Sequence, residues 1–128
     1  MKKLALGLAL VMGLAGTASA DIAEGIWQTQ PDDGAFAFVR MSTCGSAVCG
    51  TIIRTFDETG EYQSENIGRQ IVIDMVPQGD GQYEGSVYRP ANDRIYIGRM
   101  EVEGDRLNLR GCVAGGLFCA RQTWVRVQ

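Results

Sequence analysis

The sequence predicts an all-β domain, a small eight-stranded antiparallel up-and-down barrel that follows a cleaved signal peptide. Three observations support this fold class. No segment after residue 20 has a convincing apolar period of about 3.6 residues, so helices are not expected. Short alternating runs recur instead about every ten residues, separated by Gly, Pro, Asp and Asn. Four cysteines fall among these runs, where they would pair in an oxidising compartment.

Residues 1–20 have the pattern of a secretory signal peptide. Two lysines precede a run of about thirteen apolar residues, and Ala18-Ser19-Ala20 supplies the small residues of a cleavage site. The run is too short to cross a bilayer of about 30 Å, and Asp21 rather than a lipid-accepting cysteine follows it. We therefore expect one periplasmic or secreted domain, residues 21–128, without a membrane anchor.

Without the signal peptide, the remaining 108 residues carry ten arginines, no lysine and fifteen carboxylates, a net charge of −5. Proteins that bind nucleic acid present a net basic face to the phosphates, and no run of basic residues is present. A nucleic-acid partner is therefore not expected.

Turn residues divide the first half of the domain into four strands. Asp32-Asp33-Gly34 is a turn signal between the first two strands, and a turn centred on Ser46-Ala47 joins the second to the third. The polar segment Asp57–Gly68 follows, either as a mobile lid or as a plain surface loop. The predicted strands are Glu24–Gln30, Ala35–Thr43, Cys49–Phe56 and Arg69–Val76.

Four hairpin strands fill the second half. Asp80-Gly81 precedes them, and turns centred on Ala91-Asn92 and Gly104-Asp105 separate the first three. Gly115-Gly116 is a signal for a two-residue type I′ turn, because both central residues of that turn need φ > 0. The predicted strands are Gln82–Arg89, Arg94–Glu103, Arg106–Val113 and Phe118–Val127.

These turn centres fix the strand register, which pairs Val102 with Leu107 and Met100 with Leu109. A single face then carries the apolar side chains, and we expect it to be the core. Arg99, Glu101, Arg106, Asn108 and Thr123 point outward. The predicted core face comprises Tyr96, Met100, Val102, Leu107, Leu109 and Trp124.

The cysteines are expected to form two local disulfides, Cys44–Cys49 and Cys112–Cys119, across hairpin tips. A zinc site is the competing interpretation, but the spacings are unsuitable, histidine is absent and export disfavours thiolate ligands. Chain entropy does not choose the pairing, since a short ring stabilises by about 2–2.5 kcal/mol and a long link such as Cys44 to Cys112 by about 4.4 kcal/mol. Geometry favours the local pairs.

The register also predicts a row of small residues across the inner face: Gly85, Gly98, Gly111 and Ala120. Such a row is a pocket wall, room for a bulky core residue such as Trp27, or the bend that a barrel needs.

On the outer face, Arg99, Arg110 and Arg121 fall side by side on three strands. Like charges directly opposite each other are destabilising. Either solvent and neighbours such as Glu101 offset this repulsion, or an anionic partner binds the guanidinium groups.

Catalysis, a cofactor and a metal are not expected. Histidine is absent, the cysteines are used in disulfides, and most candidate carboxylates lie in turns. Phosphate, dinucleotide and calcium motifs are missing. Asp74 is the notable carboxylate, because it interrupts the apolar strand Ile71–Val76; it either faces outward or pairs inside with Arg89 or a tyrosine.

Gly25-Ile26-Trp27 and Trp124-Val125-Arg126 resemble the signature of the lipocalin-like (calycin) barrels. In that family the tryptophan closes the barrel floor and an arginine from the last strand packs over its ring. The resemblance implies that Arg126 lies over Trp27 in a cation–π contact of about 1–2 kcal/mol.

A longer resemblance covers nearly all of residues 21–128. The chain is similar to the family of exported bacterial proteins called domain of unknown function 2147 (DUF2147), which implies a small lipocalin-like barrel that binds a small apolar or amphipathic molecule. The matching stretches are Gly25-Ile26-Trp27, Cys49-Gly50-Thr51-Ile52, Gly85-Ser86-Val87-Tyr88-Arg89-Pro90, Ile95-Tyr96, Leu107-Asn108-Leu109-Arg110-Gly111 and Gln122-Thr123-Trp124-Val125-Arg126.

The chain departs from that family in the hairpin between the fifth and sixth predicted strands. The family commonly has Asp-Pro and then Gly-Lys-Thr-Tyr there, whereas this chain has Arg89-Pro90-Ala91-Asn92-Asp93-Arg94-Ile95-Tyr96. No role of that acid or lysine is carried over.

We expect a binding protein whose barrel lumen holds a small lipophilic molecule. The alternative is a periplasmic protein–protein interaction module, an enzyme inhibitor or an envelope-stress factor, that binds its partner through the Asp57–Gly68 loop or the outer arginines. The glycine row would form the open side of the lumen, and the other candidate wall residues are Phe36, Phe38, Tyr83, Tyr96, Met100, Leu109 and Trp124.

Overall fold

Antiparallel strands account for most of residues 21–128, which are the residues that the computed structural model describes. The predicted signal peptide lies outside them. The strands are β1 (Gly25–Gln28), β2 (Phe36–Cys44), β3 (Ala47–Asp57), β4 (Gly60–Tyr62), β5 (Gln70–Gly79), β6 (Gln82–Arg89), β7 (Arg94–Glu103), β8 (Arg106–Val113) and β9 (Phe118–Arg126).

Eight of these strands close into a ring. Consecutive strands pair along the chain, except that β3 pairs with β5, and β9 returns to pair with β1. The short strand β4 lies outside the ring and pairs with β3 alone. The result is the all-β, eight-stranded antiparallel barrel that the sequence predicts.

The second-half register is confirmed. Met100 lies opposite Leu109, Val102 opposite Leu107, and Cys112 opposite Cys119. Alternation then buries one face of β7 and of β8, and Leu107 and Trp124 are almost completely buried. Turn centres and the two-residue period of a strand were therefore sufficient to place these side chains.

Two hairpin turns differ from the sequence prediction. Val113 pairs with Phe118, so the β8–β9 connection is a four-residue loop that includes a 3₁₀ turn rather than a two-residue type I′ turn. In the β2–β3 hairpin Cys44 pairs with Ala47. That turn is therefore centred on Gly45 and Ser46, one residue earlier than predicted. Gly45 has a positive φ of 69°.

Both predicted disulfides, Cys44–Cys49 and Cys112–Cys119, are confirmed. The first joins residues that are diagonal in the hairpin, because Cys49 lies opposite Ser42. The second joins residues directly opposite each other. One disulfide therefore lies at each end of the barrel.

The segment predicted as a polar loop is partly a strand. Asp57 accepts hydrogen bonds from the backbone N–H and the hydroxyl of Thr59 at 2.8 and 2.7 Å, which forms a tight turn. β4 then folds back on β3, and the Thr55 hydroxyl donates to the Tyr62 carbonyl at 2.6 Å. The first part of Asp57–Gly68 is therefore a hairpin extension of the barrel wall.

Tyr83 makes stability depend on pH. Burial, followed by the hydrogen bond that its hydroxyl donates to the Asp21 carboxylate, raises the pKa of this phenol above its ordinary value. The folded state therefore holds the proton more tightly, and stability that is present below the unfolded pKa of about 10 is lost as pH rises above it. Urea unfolding followed from about pH 8 to pH 11 should show this decline.

The variant Tyr83→Phe should have a shallower alkaline decline than the natural chain. Some decline should remain, because a hydrogen bond to Asp93 also raises the pKa of Tyr88. An unchanged alkaline slope in Tyr83→Phe would contradict the assignment to Tyr83.

Candidate functional site

One end of the barrel opens into a pocket of about 740 Å³. Strand ends and connections surround it: the β1–β2 connection, the β6–β7 turn, the segment after β4 and the part of β9 from Ala120 to Trp124. Its apolar wall comprises Ala37, Ile52, Ile71, Val87, Leu109 and Trp124. Its polar lining residues include Gln30, Asp32, Thr55, Ser64, Asn66, Arg89 and Gln122.

The opposite end is closed by Trp27, which has no exposed surface. The indole N–H donates to the Ala23 carbonyl at 2.9 Å. The Arg126 guanidinium lies 4.4 Å from the centroid of the Trp27 ring, within the range of a cation–π contact. The residues that resemble the calycin signature thus meet at the barrel floor.

Arg126 also holds the segment that precedes β1. Its guanidinium donates to the carbonyls of Glu24 and Ile22, each at 2.7 Å, and its Nε lies 3.2 Å from the Asp105 carboxylate. The Arg126 guanidinium therefore connects the segment before β1 with the β7–β8 turn. These hydrogen bonds and the ion pair cover the buried Trp27 ring at the closed end.

The glycine row is present but is largely filled. A Cβ on Gly85 would lie 2.4 Å from the Asp74 carbonyl oxygen, and one on Gly98 would lie 2.6 Å from the methyl group of Met75. The β5 backbone and the Met75 side chain therefore occupy the space that these glycines leave. Only Gly111 and Ala120, at the open end of the row, line the pocket.

Half of the predicted lumen residues line the pocket: Phe36, Tyr96, Leu109, Gly111 and Trp124. Tyr83 and Met100 are buried in the core toward the closed end, and β5 fills the space beside Gly85 and Gly98. The prediction that these four residues line the lumen is wrong, because Tyr83 and Met100 pack in the core and the irregular part of β5 at Asp74 and Met75 fills the space beside the two glycines.

Phe38 is also misplaced by the sequence prediction. It lies on the outer face of β2, where its ring centroid is 4.8 Å from that of Phe56 and 5.7 Å from the Arg54 guanidinium. The alternation of β2 buries Val39 and Met41 instead. Because successive side chains of a strand point to opposite faces, Phe38 cannot reach the lumen. Phe36 has the same orientation, and its ring stacks on Phe56 at 4.8 Å in this outer cluster, although the residue also borders the pocket.

Several lining residues were not predicted. Ile52 and Thr55 come from β3, where a bulge near Val39 shifts the pairing by one residue and changes which side chains face inward. Tyr62, Ser64 and Asn66 come from the polar segment Asp57–Gly68, for which the sequence predicts a lid or a surface loop. Alternation in β3 indicated Ile52, whereas the sequence left a lid and a plain surface loop open for the polar segment and named none of its residues as pocket lining.

Hydrogen bonds hold the polar groups of two aromatic side chains in the pocket wall. The Trp124 indole N–H donates to the Gln122 side-chain oxygen at 2.8 Å, and the Asn92 amide donates to the Tyr96 hydroxyl at 2.6 Å. These bonds fix the orientation of two aromatic rings in the wall. The pocket therefore presents mainly ring faces and aliphatic groups to its interior.

The outer arginines lie in one row, with Arg99 opposite Arg110 and Arg110 opposite Arg121. Glu84 lies 3.5 Å from the Arg99 Nε, which is buried and has no hydrogen-bond partner among the described residues. Within residues 21–128, Arg110 and Arg121 have no carboxylate within 4.0 Å of their nitrogens. The row therefore keeps an excess of positive charge.

Asp74 faces outward at an irregular position of β5, with a positive φ of 46°. Its carboxylate lies 3.6 Å from the Cys49 sulfur and 3.9 Å from the Cys44 sulfur. Because these sulfurs are bonded to each other, they offer no thiolate to a metal.

Comparison with known proteins agrees with this architecture. A Helicobacter pylori protein, HP1028, described as belonging to the lipocalin family, has a similar structure, with a TM-score of 0.66 and 19% sequence identity; the match covers 86% of this chain and 85% of that one. No curated protein matches the chain in sequence. Within residues 21–128, no helix is long and apolar enough to cross a membrane.

Residues 25–126 match the model of a family described as an uncharacterized protein conserved in bacteria, DUF2147. The match runs from the glycine that opens β1 to the arginine that closes β9, and so includes every strand of the barrel. The chain therefore belongs to the DUF2147 family.

Proposed function

We propose that this protein binds a small apolar or amphipathic molecule in the barrel pocket. The observation that carries the proposal is a pocket of about 740 Å³, closed at one end by Trp27 and walled by aliphatic and aromatic side chains. Ligand sites in proteins typically measure about 300–1,000 Å³ and combine an apolar wall with a few polar groups. The polar lining residues would face the polar end of an amphipathic ligand.

Binding rather than catalysis is the proposed role. Histidine is absent from the chain, and Asp32 is the single carboxylate that lines the pocket in the described residues. Tyr62, Tyr88 and Tyr96 also line the pocket, but within residues 21–128 none of them is hydrogen-bonded to Asp32 as an acid–base pair would be.

The proposed location is the periplasm or the extracellular medium. Two disulfides stabilise the barrel and leave no free cysteine among residues 21–128. Disulfides persist in oxidising compartments and are rare in the cytosol.

Filling the pocket should abolish binding. The neutral fluorophore phenylnaphthylamine is expected to bind the natural chain with a Kd of about 1–100 µM and to be displaced by dodecanol. In Ile71→Trp the larger side chain would occupy part of the pocket, and binding should weaken at least about tenfold, equivalent to about 1.4 kcal/mol. Fluorescence titration measures both values.

The control for this variant is Ile95→Trp, which makes the same change in size on a residue that is 66% exposed and outside the pocket. Its affinity should equal that of the natural chain. Equal affinities for Ile71→Trp and the natural chain, with both folded by circular dichroism, would contradict the pocket as the binding site.

A further inference from the structure

The wall of the barrel is incomplete beside the first part of β9, from Phe118 to Trp124. On one side β9 pairs with β8 through eight residues, from Phe118 to Val125. On the other side it pairs with β1 at Val125 and Arg126 alone, because β1 ends at Gln28. Phe118–Trp124 therefore has no neighbouring strand on that side.

Backbone groups along this edge point into the gap. The Arg126 N–H donates to the Asp105 carbonyl on the β8 side at 2.8 Å, and in an antiparallel strand successive residues direct their N–H and C=O to opposite sides. The backbone N–H and C=O groups therefore point away from β8 at Cys119, Arg121 and Thr123. The Thr123 N–H reaches the Gln30 side-chain oxygen at 2.8 Å, whereas Cys119 and Arg121 have no strand opposite them there.

The gap is open to solvent and continues into the pocket. Every residue from Phe118 to Thr123 is exposed, including the inward residues Ala120 and Gln122. The pocket is lined from both sides of the gap, by Gln30 and Phe36 on one side and by Ala120 on the other. A segment lying along β9 would thus face solvent with one set of side chains and the pocket mouth with the other.

The outer arginine row supplies the charge preference. A residue paired with Arg121 on an added strand would continue the row of Arg99, Arg110 and Arg121. Cross-strand neighbours of opposite charge stabilise a sheet and like charges destabilise it. Among the described residues, Glu84 is the one carboxylate within 4.0 Å of an arginine nitrogen of this row, and it lies at the Arg99 end, so a carboxylate is the side chain that fits the position next to Arg121.

We propose that the β9 edge from Cys119 to Thr123 binds an extended peptide segment as an added antiparallel strand. An Asp or Glu of the peptide lies opposite Arg121, and apolar residues on either side of it face the pocket mouth beside Ala120. Backbone hydrogen bonds from Cys119 and Arg121 hold the peptide, while the arginine row selects its charge. A second copy paired through the same edge about Arg121 would bring two guanidinium groups together, which disfavours self-association.

The test uses residues 21–128 with both disulfides and the blocked peptide Ser-Thr-Val-Glu-Val-Thr-Ser. In an NMR titration, the amide signals of Cys119 and Arg121 should shift and their hydrogen exchange should slow. Replacing the peptide Glu with Lys should weaken binding at least about fivefold, as expected for one exposed charge pair beside further like charges. Methylating the Glu backbone nitrogen should abolish binding, because that N–H donates to the edge.

Charge reversal separates this site from the pocket. Arg121→Glu should invert the preference, so that the Lys peptide binds more tightly than the Glu peptide. The control is Arg106→Glu, which changes an exposed arginine at the start of β8, near the closed end of the barrel; this variant should leave the preference unchanged. Equal binding of the Glu and Lys peptides, full binding of the methylated peptide, absence of binding, or concentration-dependent self-association through β9 would each overturn the proposal. Arg121 also borders the pocket, so Ile71→Trp provides the independent readout: it should weaken phenylnaphthylamine binding and keep the preference for the Glu peptide, and the two proposals can therefore fail separately.

Discussion

Replacing Trp27 with alanine is expected to lower the free energy of unfolding by about 3–5 kcal/mol, the cost typical of removing a large buried aromatic side chain. The ring has no exposed surface, so its removal leaves a cavity at the barrel floor. The variant also loses the hydrogen bond to Ala23 and the ring beneath Arg126. Urea unfolding with the disulfides intact, followed by circular dichroism, measures the difference.

Two further variants distinguish the contribution of the Trp27 ring from that of the Arg126 hydrogen bonds. Trp27→Phe keeps an aromatic face but lacks the indole N–H, so it should lose less stability than Trp27→Ala. Arg126→Met keeps an aliphatic stem but removes the bonds to Glu24 and Ile22. Its loss should exceed that of Val125→Ala, where the side chain is 47% exposed. If Trp27→Ala cost less than about 1 kcal/mol, a collapsed or mobile floor would have to replace the packed one described here.

The β6–β9 half of the barrel was predictable because short turns leave little choice of register. Once the turn centres were placed, pairing of Met100 with Leu109 and of Cys112 with Cys119 followed by counting. The turn details were less predictable. A four-residue loop and a two-residue turn with the same centre give the same register, so register could be right where turn type was wrong.

The β2–β5 half was less predictable because its pairing is irregular. Bulges interrupt the register of β3 with both β2 and β5, and each bulge changes which residues face inward. Counting from a turn therefore does not place the side chains of this half, and Phe38 is one that the prediction misplaces. The pocket depends on these irregular strands and on the segment after β4, so its wall could be predicted mainly where it draws on Tyr96, Leu109, Gly111 and Trp124.

The glycine row shows how one correct register leaves function open. The predicted register placed Gly85 beside Gly98 and Gly98 beside Gly111. It did not predict which atoms occupy the space on the inner side of these glycines. The answer depends on β5, whose backbone turns at Asp74 with a positive φ of 46°. The sequence marks Asp74 as an interruption of an apolar strand, but it does not show that the backbone bulges there, because an outward aspartate on a regular strand would give the same pattern.

Gly85→Ala is expected to lower the free energy of unfolding by about 3 kcal/mol, at the upper end of the usual cost of overpacking. The added methyl group would lie 2.4 Å from the Asp74 carbonyl oxygen and 2.7 Å from that of Ile73. Both atoms belong to the backbone, so relief requires β5 to move rather than a side chain to rotate. Such movement would disturb Met75, which is fully buried.

Gly111→Ala is the matched control, since the same methyl group would lie 3.3 Å from a Val87 methyl carbon at the pocket wall. That neighbour can give by a few tenths of an ångström, so the loss should stay below about 1 kcal/mol. Urea unfolding of the two variants therefore compares one chemical change at two positions of the same row. Equal losses would mean that β5 does not pack against Gly85, and the inner space beside Gly98 would then belong to the ligand pocket rather than to the core.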